Sequence, residues 1–399
     1  MNPFYCYIFS FAVGLTIYSF NWSTRYPGLT GPLILFLLLT MAAHAGSGYY
    51  WNRFAAAWKK ITLTEDRNPL KVTVFIYLLW GADFLYEGGI PLLKIIFGIP
   101  YNYRMFGIPS LHVFTVTFAS FYTIYLFHLY LSTRNKYILG FYIINLSAGL
   151  LIYSRAMLIF NISSSLLLYL FLLKKIPVRL FFLMPLLALL LFYFFGVLGT
   201  LRVSRESKKA YDNQLFLDIG GASDSFKKSR IPKEFFWPYI YLSSPVANLQ
   251  QNIKWTKKPP PVTVLRIIEM MNNEFLFDFI SKRTNRIFQF NDLDHYTENY
   301  TVVGAFNVTT LYSRSFSYLG WLGMIIMAIF SLLIPWFYLR LLPPGSPYFL
   351  TGIAILCTIF LFMAYDNTIR FTGLGFQLIY PVLFPWLHRK EFLRLTTNS

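Results

Sequence analysis

The sequence predicts an all-α polytopic membrane protein of about ten transmembrane helices with one long, partly helical loop. Three observations carry this. Of 399 residues 56% are hydrophobic and only 13% charged, where a soluble chain of this size carries about 25% charged residues. The apolar residues fall in runs near the ~20 residues that cross a ~30 Å hydrocarbon core. The basic residues fall mostly in the gaps between those runs.

Ten runs qualify: 4–20, 30–49, 72–88, 112–131, 137–153, 156–173, 178–200, 316–338, 348–364 and 372–387. The N-terminal "MNPFYCYIFS" has no basic region and no small-residue cleavage site after it, so the first run reads as a retained span. Lys and Arg in short loops orient the chain. Arg53, Lys59, Lys60, Arg67 and Lys71, then Arg134 and Lys136, then Lys174, Lys175 and Arg179, and finally Arg389, Lys390 and Arg394 share one side, the cytoplasmic side, with both termini. The organisation follows: spans one to seven in 1–200, a large outer loop in 201–315, and spans eight to ten with a cytoplasmic tail in 316–399.

The long loop carries 16 Lys/Arg and 11 Asp/Glu. Long loops cross regardless of charge, so its basic balance leaves the orientation intact. The net charge of +18 is spread over membrane flanks and this loop and does not mark a nucleic-acid partner. The loop is not a disordered tether. "VTVLRIIEMMNNEFLFDFI" sets Leu265, Ile268, Met271, Phe275 and Phe279 near one helical face, a helix suited to lie on the membrane or cover a cavity. Gly-Ile-Pro recurs at Gly89, Gly98 and Gly107, which predicts a turn-rich re-entrant or interfacial segment over 88–111. Irregular backbone at membrane depth survives only beside protein or a wet cavity.

Several charges then gather at the outer ends of the spans. Arg155 interrupts two apolar runs with almost no loop around it, and intramembrane charges are functional candidates. Asp83 and Glu87 share a helix face four residues apart. Asp366 and Arg370 share the same spacing in "YDNTIRF", Arg314 precedes the eighth span, and Arg104 sits in the Gly-Ile-Pro segment. An ion pair such as Arg155 with Glu87 would account for two of them, not for the set. Arginine forks bind phosphate oxygens bidentately and keep their charge. Asp83, Glu87, His112 and His295 are candidates to take a proton from a sugar hydroxyl. His44 and His128 read as structural. Cys6 and Cys357 both lie in apolar runs, so neither a disulfide framework nor a metal motif is expected, and no nucleotide loop is visible. The chemistry expected is metal-free and cofactor-free. Trp237, Tyr239 and Tyr241 in "FFWPYIYLSSPVANLQ" are candidates to stack sugar rings, with interfacial packing an equal reading.

From the third span onward the chain resembles the oligosaccharide repeat-unit polymerases, the Wzy-type O-antigen polymerases. The resemblance rests on "YEGGIPLL", "FGIPSLH", "YSRAMLI", "YLSSPVANL" and "NVTTLYSRSFSYLGWLG", in this order and with the long outer loop before the last three spans. It departs at Tyr318, where the family carries an acidic residue. The resemblance implies a class C-like glycosyltransferase of the bacterial inner membrane. Its substrates would be undecaprenyl-pyrophosphate-linked oligosaccharides, joined on the periplasmic side. Arg155 and Arg314, then Arg370 and Arg104, would neutralise the departing pyrophosphate. A chain-length regulator is implied as a partner. A lipid-linked oligosaccharide flippase and an O-antigen ligase are the rival readings.

Overall fold

The structure is a computed structural model that describes residues 1–55, 63, 68–99, 101, 106–173, 177–206, 213–256, 261–293, 300–304, 306–343 and 345–387. Among these the chain forms helices joined by turns and loops, with one isolated bridge between Ser23 and Ala222. The helices in order are α1 (Pro3–Tyr18), α2 (Gly31–Ala55), α3 (Pro69–Tyr86), α4 (Pro91–Ile96), α5 (Leu111–Thr133), α6 (Lys136–Leu151), α7 (Arg155–Leu172), α8 (Val178–Glu206), α9 (Asn213–Ile219) and α10 (Asp224–Lys228). There follow α11 (Phe236–Trp255), α12 (Val264–Phe275), α13 (Asp278–Phe288), α14 (Ser313–Leu319), α15 (Trp321–Leu341), α16 (Phe349–Phe362), α17 (Thr372–Gly375) and α18 (Ile379–Leu387).

Six helical stretches are long and apolar enough to cross a membrane: α2, α3, α5, α7, residues Phe182–Leu201 of α8, and α15. Shorter apolar helices, α1, α6 and α16, account for three more of the ten expected runs. The tenth run, 372–387, is not one helix. It breaks into α17, a 3₁₀ turn at Phe376–Leu378, and α18. In the described part of the 88–111 segment lies the short α4, with Gly88, Gly89, Gly98 and Gly107 all at positive φ.

Helix ends follow from local chemistry. The Asn2 carboxamide oxygen accepts from the Phe4 and Tyr5 amides and Pro3 fills the first turn, so α1 starts there. Asn135 and Ser154 cap α6 and α7 in the same way. α1 packs along α16, and α5 packs against both α6 and α7. Polar groups buried among the spans pair with one another. The Tyr7 hydroxyl meets Thr40 and Tyr312, the His44 ring stacks on Tyr7 at 3.7 Å, and His44 Nδ1 donates to the Thr40 carbonyl. His44 is therefore a bracket between α1, α2 and α15, where Ser331 also meets it. Such bonds between helices act as glue where no water competes. A separate aromatic cluster outside this bundle joins α9, α10 and α11 through Phe216, Phe226, Phe236, Trp237 and Tyr239.

Candidate functional site

Asp83, Glu87 and His112 gather at one node and Arg314, Asp366 and Arg370 at a second, and α13 joins the two.

The first node lies where α3 ends and α5 begins. Asp83 is buried in the last turn of α3. One carboxylate oxygen accepts from the Ile108 amide at 2.9 Å, and the other lies 2.8 Å from His112 Nδ1. Glu87, one turn on, accepts from the Gly107 amide at 3.0 Å. Two carboxylates four residues apart on α3 thus hold consecutive amides of the "FGIPSLH" turn, which is why their spacing matters. Gly107 has φ +90°, and a Cβ there would lie 2.6 Å from the His112 ring. Only glycine lets the turn pass this close. Trp80 and Phe106 set their rings edge-on to the imidazole at 5.8 and 5.2 Å. With Nδ1 held by Asp83 and the side chain 24% exposed, the imidazole keeps its second nitrogen for other work. Ser110, also at positive φ, accepts from the exposed Arg283 guanidinium of α13 at 2.6 Å, two residues from His112. A strained residue held beside an oriented imidazole is common at functional sites.

The second node is buried. The Glu274 side chain has no exposed surface and accepts from Arg314 Nε at 2.7 Å, from the Asn367 carboxamide at 3.1 Å, and faces Arg370 at 3.8 Å. Arg314 also reaches Asp292 at 3.3 Å, and Arg370 donates to the Asn273 carbonyl at 3.1 Å. Burial works against the Arg370 charge, but the Glu274, Asp366, Asp278 and Asp292 carboxylates outweigh it and raise its pKa. Asp278 accepts from the Thr372 amide and hydroxyl, and burial raises its pKa against the pull of Lys282 and Arg370. Asp366 is exposed, and its carboxylate caps the amide of its own neighbour, Asn367.

Arg155 stands at the first position of α7, exposed, with its guanidinium 3.4 Å from the Tyr153 hydroxyl and 5.7 Å from that ring. The structure therefore gives no Arg155–Glu87 pair. Glu87 serves a backbone amide instead, and Tyr153, itself at positive φ, steers the arginine. α7 packs against α16, and Phe160 touches Phe371 beside Arg370, so the base of α7 joins the second node. Arg104 and His295 lie outside the described residues.

The aromatic trio separates. Trp237 is buried, stacked on Phe216 at 3.6 Å, and donates its indole N–H to Thr200. The buried Tyr239 hydroxyl accepts from the Trp22 and Ser23 amides. Tyr241 alone of the three is exposed, against Phe195 and Phe306. Trp237 and Tyr239 are thus walls of the aromatic cluster, and a sugar would have to open it to reach them. Tyr318, the point of departure from the resemblance, donates its hydroxyl to the Asn291 carbonyl at 2.9 Å.

Sequence reasoning missed Glu274, Asn273, Asn367, Asp292 and Arg283. The signal for the first two was present in "MMNNEF", a polar triplet inside an apolar helix. A helix read as lying on the membrane or covering a cavity assigns a role to its apolar face and none to this polar one. Among the described residues, His, Cys, Asp and Glu form no cluster suited to a metal ion.

No family model matches the chain, and neither a curated protein nor a solved structure matches it.

Proposed function

We propose that the chain is a surface-polysaccharide polymerase of the bacterial inner membrane. It would transfer a growing glycan from undecaprenyl pyrophosphate to the terminal sugar hydroxyl of a new lipid-linked repeat unit. In this reading ten membrane segments place both nodes toward the periplasm, as the distribution of Lys and Arg supports.

One observation carries the proposal: a carboxylate-oriented imidazole, Asp83–His112, beside an exposed guanidinium, Arg283. The reaction needs both groups. His112 takes the proton as the acceptor oxygen bonds to the anomeric carbon. Asp83 fixes the tautomer that leaves the second ring nitrogen open. The bond from that carbon to the pyrophosphate breaks, and the lipid pyrophosphate departs with the electron pair. Exposed guanidinium groups, Arg155 and Arg283, meet the charge that builds there. Fixed cations aimed at developing charge are commonly the largest catalytic term. Arg314 and Arg370 then act as positioning residues, since their charge is already met by Glu274 and Asp292.

A transporter reading has one observation in its favour. The tenth run, broken into α17, a 3₁₀ turn and α18 just after Asp366 and Arg370 in the chain, is the kind of interrupted helix that transporters place at substrate sites. A ligase would share the pyrophosphate donor and use a lipid-core acceptor.

The test is to express His112→Ala and Arg155→Ala in a host that needs this gene, and resolve its surface polysaccharide on a gel beside a measure of membrane protein level. Single-repeat product at normal protein level is expected. Long chains from both variants would overturn the reading. Loss of even single-repeat product at the surface would favour the transporter.

A further inference from the structure

α12 is amphipathic in the wrong sense for a helix in water. Val264, Leu265, Ile268 and Met271 lie on one face and are 74, 57, 44 and 50% exposed. The opposite face carries Glu269, Asn272, Asn273 and Glu274, all buried. These polar groups are satisfied inside the protein. Asn272 donates to the Asn285 side chain at 2.6 Å, Asn285 donates to that of Asn273 at 2.7 Å, and Glu269 accepts from the Asn291 amide at 2.9 Å. A helix with water outside turns its apolar stripe to the core.

The neighbour of α12 says what covers the outer face. Arg266 reaches the Tyr318 carbonyl just before α15 starts, Met270 clusters with Leu319 and Ile326, and Phe275 stacks on Phe330 at 4.2 Å. Phe277 then shares an apolar cavity of about 460 Å³ with Ile334, Phe337 and Trp386. The contacts step in order down both chains, so α12 descends beside α15 and in the same direction. α15 is long and apolar enough to span a membrane. Phe330 is nine residues below its first residue, a rise of roughly 13 Å, or nearly half of a ~30 Å hydrocarbon core. Exposed Leu322, Ile325 and Ile329 of α15 continue the apolar surface of α12. After Leu276 and Phe277 the chain reverses into α13, whose Arg283 returns to Ser110 at the start of α5.

We propose that α12 and α13 form a re-entrant hairpin. α12 lays its apolar face on the hydrocarbon chains of the leaflet where α15 begins, and Leu276–Phe277 is the deepest point, near the bilayer midplane. The occupant of the exposed face is bilayer lipid. Backbone that reverses at this depth needs protein partners, and it has them. The Asp278 amide donates to the Arg370 carbonyl at 2.9 Å, and the Asn367 carboxamide donates to the Glu274 carbonyl at 2.7 Å. Glu274, brought to membrane depth, meets two arginines there, as an intramembrane charge requires. The hairpin thus walls a polar interior from lipid.

Two measurements test it. Nitroxide labels at L265C, I268C, M271C and L276C, in a background with Cys6→Ala and Cys357→Ala, are read in liposomes for collision with oxygen and with a water-soluble nickel chelate. Preference for oxygen that rises from position 265 to 276 is expected. Preference for nickel, or shielding from both reagents by a second copy, would overturn the hairpin. The unmodified protein in liposomes whose acyl chains carry a carbene precursor gives the variant-free check. Labelled peptide 264–276 is expected, and labelling of α2 and α15 with none on 264–276 would overturn it.

Discussion

The two charged nodes use the same residue types and are built in opposite ways. Around Glu274 every charge has a counter-charge within the protein, and the carboxylate has no exposed surface. Around His112 the carboxylates are spent on backbone amides and one imidazole nitrogen, while Arg283, which meets Ser110 there, stays exposed. A buried, fully paired set is costly to break and has little left to offer a substrate. An open, oriented set costs little stability and keeps a proton acceptor and cations for a ligand. α13 links them, since Asp278 sits at the second node, its amide donating to the Arg370 carbonyl, and Arg283 reaches Ser110 at the first, five residues and roughly 8 Å of helix apart.

The largest effect that tests this contrast is Glu274→Ala. It leaves Arg314 and Arg370 buried without their shared carboxylate, and a loss of about 3–5 kcal/mol is expected. Thermal unfolding in detergent, followed by size exclusion, reads it. A variant as stable as the parent but inactive would invert the assignment and put chemistry at the buried node. Next is His112→Ala, expected to lower transfer between lipid-linked units by roughly 10²–10⁴-fold with unfolding unchanged. Asp83→Asn should follow in the same direction, because the ring loses its fixed tautomer. Arg155→Ala is expected to cost up to about a hundredfold in rate, and Arg155→Lys to recover part of it, since charge returns without the fork. Gly107→Ala should cost about 1–3 kcal/mol through its positive φ and displace the His112 ring. It is read as a lowered transfer rate in protein that still folds. Smallest is Asp366→Asn, expected to stay within about twofold because its exposed carboxylate bonds an adjacent amide and Glu274, Asp278 and Asp292 still face Arg370. Salt sharpens the contrast further. Raising ionic strength should weaken the binding of lipid pyrophosphate at the exposed guanidinium groups and leave the Glu274 node's stability nearly unchanged.

How much of this was legible follows from range in sequence. Asp83 and Glu87 sit one helical turn apart, so their shared face can be read directly. The turn they bind was marked by Gly107, and His112 lay within reach of it in the chain. Arg314 and Arg370 were visible as charges near apolar runs, but Glu274 between them was not, because it lies 40 residues from the first and 96 from the second. The α12 helix is legible by its period, which leaves open whether its apolar face meets lipid or covers a cavity. That choice depends on what the polar face is packed against, which no local pattern shows. Sugar stacking and plain packing stay equal readings of Trp237 and Tyr239 in the sequence, because composition cannot tell a buried ring from an exposed one.

The sequence by itself determined that this is a helical chain with membrane-spanning segments, since length, apolar content and period are local properties that a bilayer reads one segment at a time. It also determined the paired carboxylates of α3 and the turn that follows. Only the tertiary structure decided which arginines are paired and which stay open, that α12 faces outward with its apolar side, and that the last run is broken rather than continuous. Those outcomes depend on contacts between distant segments. The cost of burying a charge is repaid only by a partner the fold brings to it, and no local pattern names that partner.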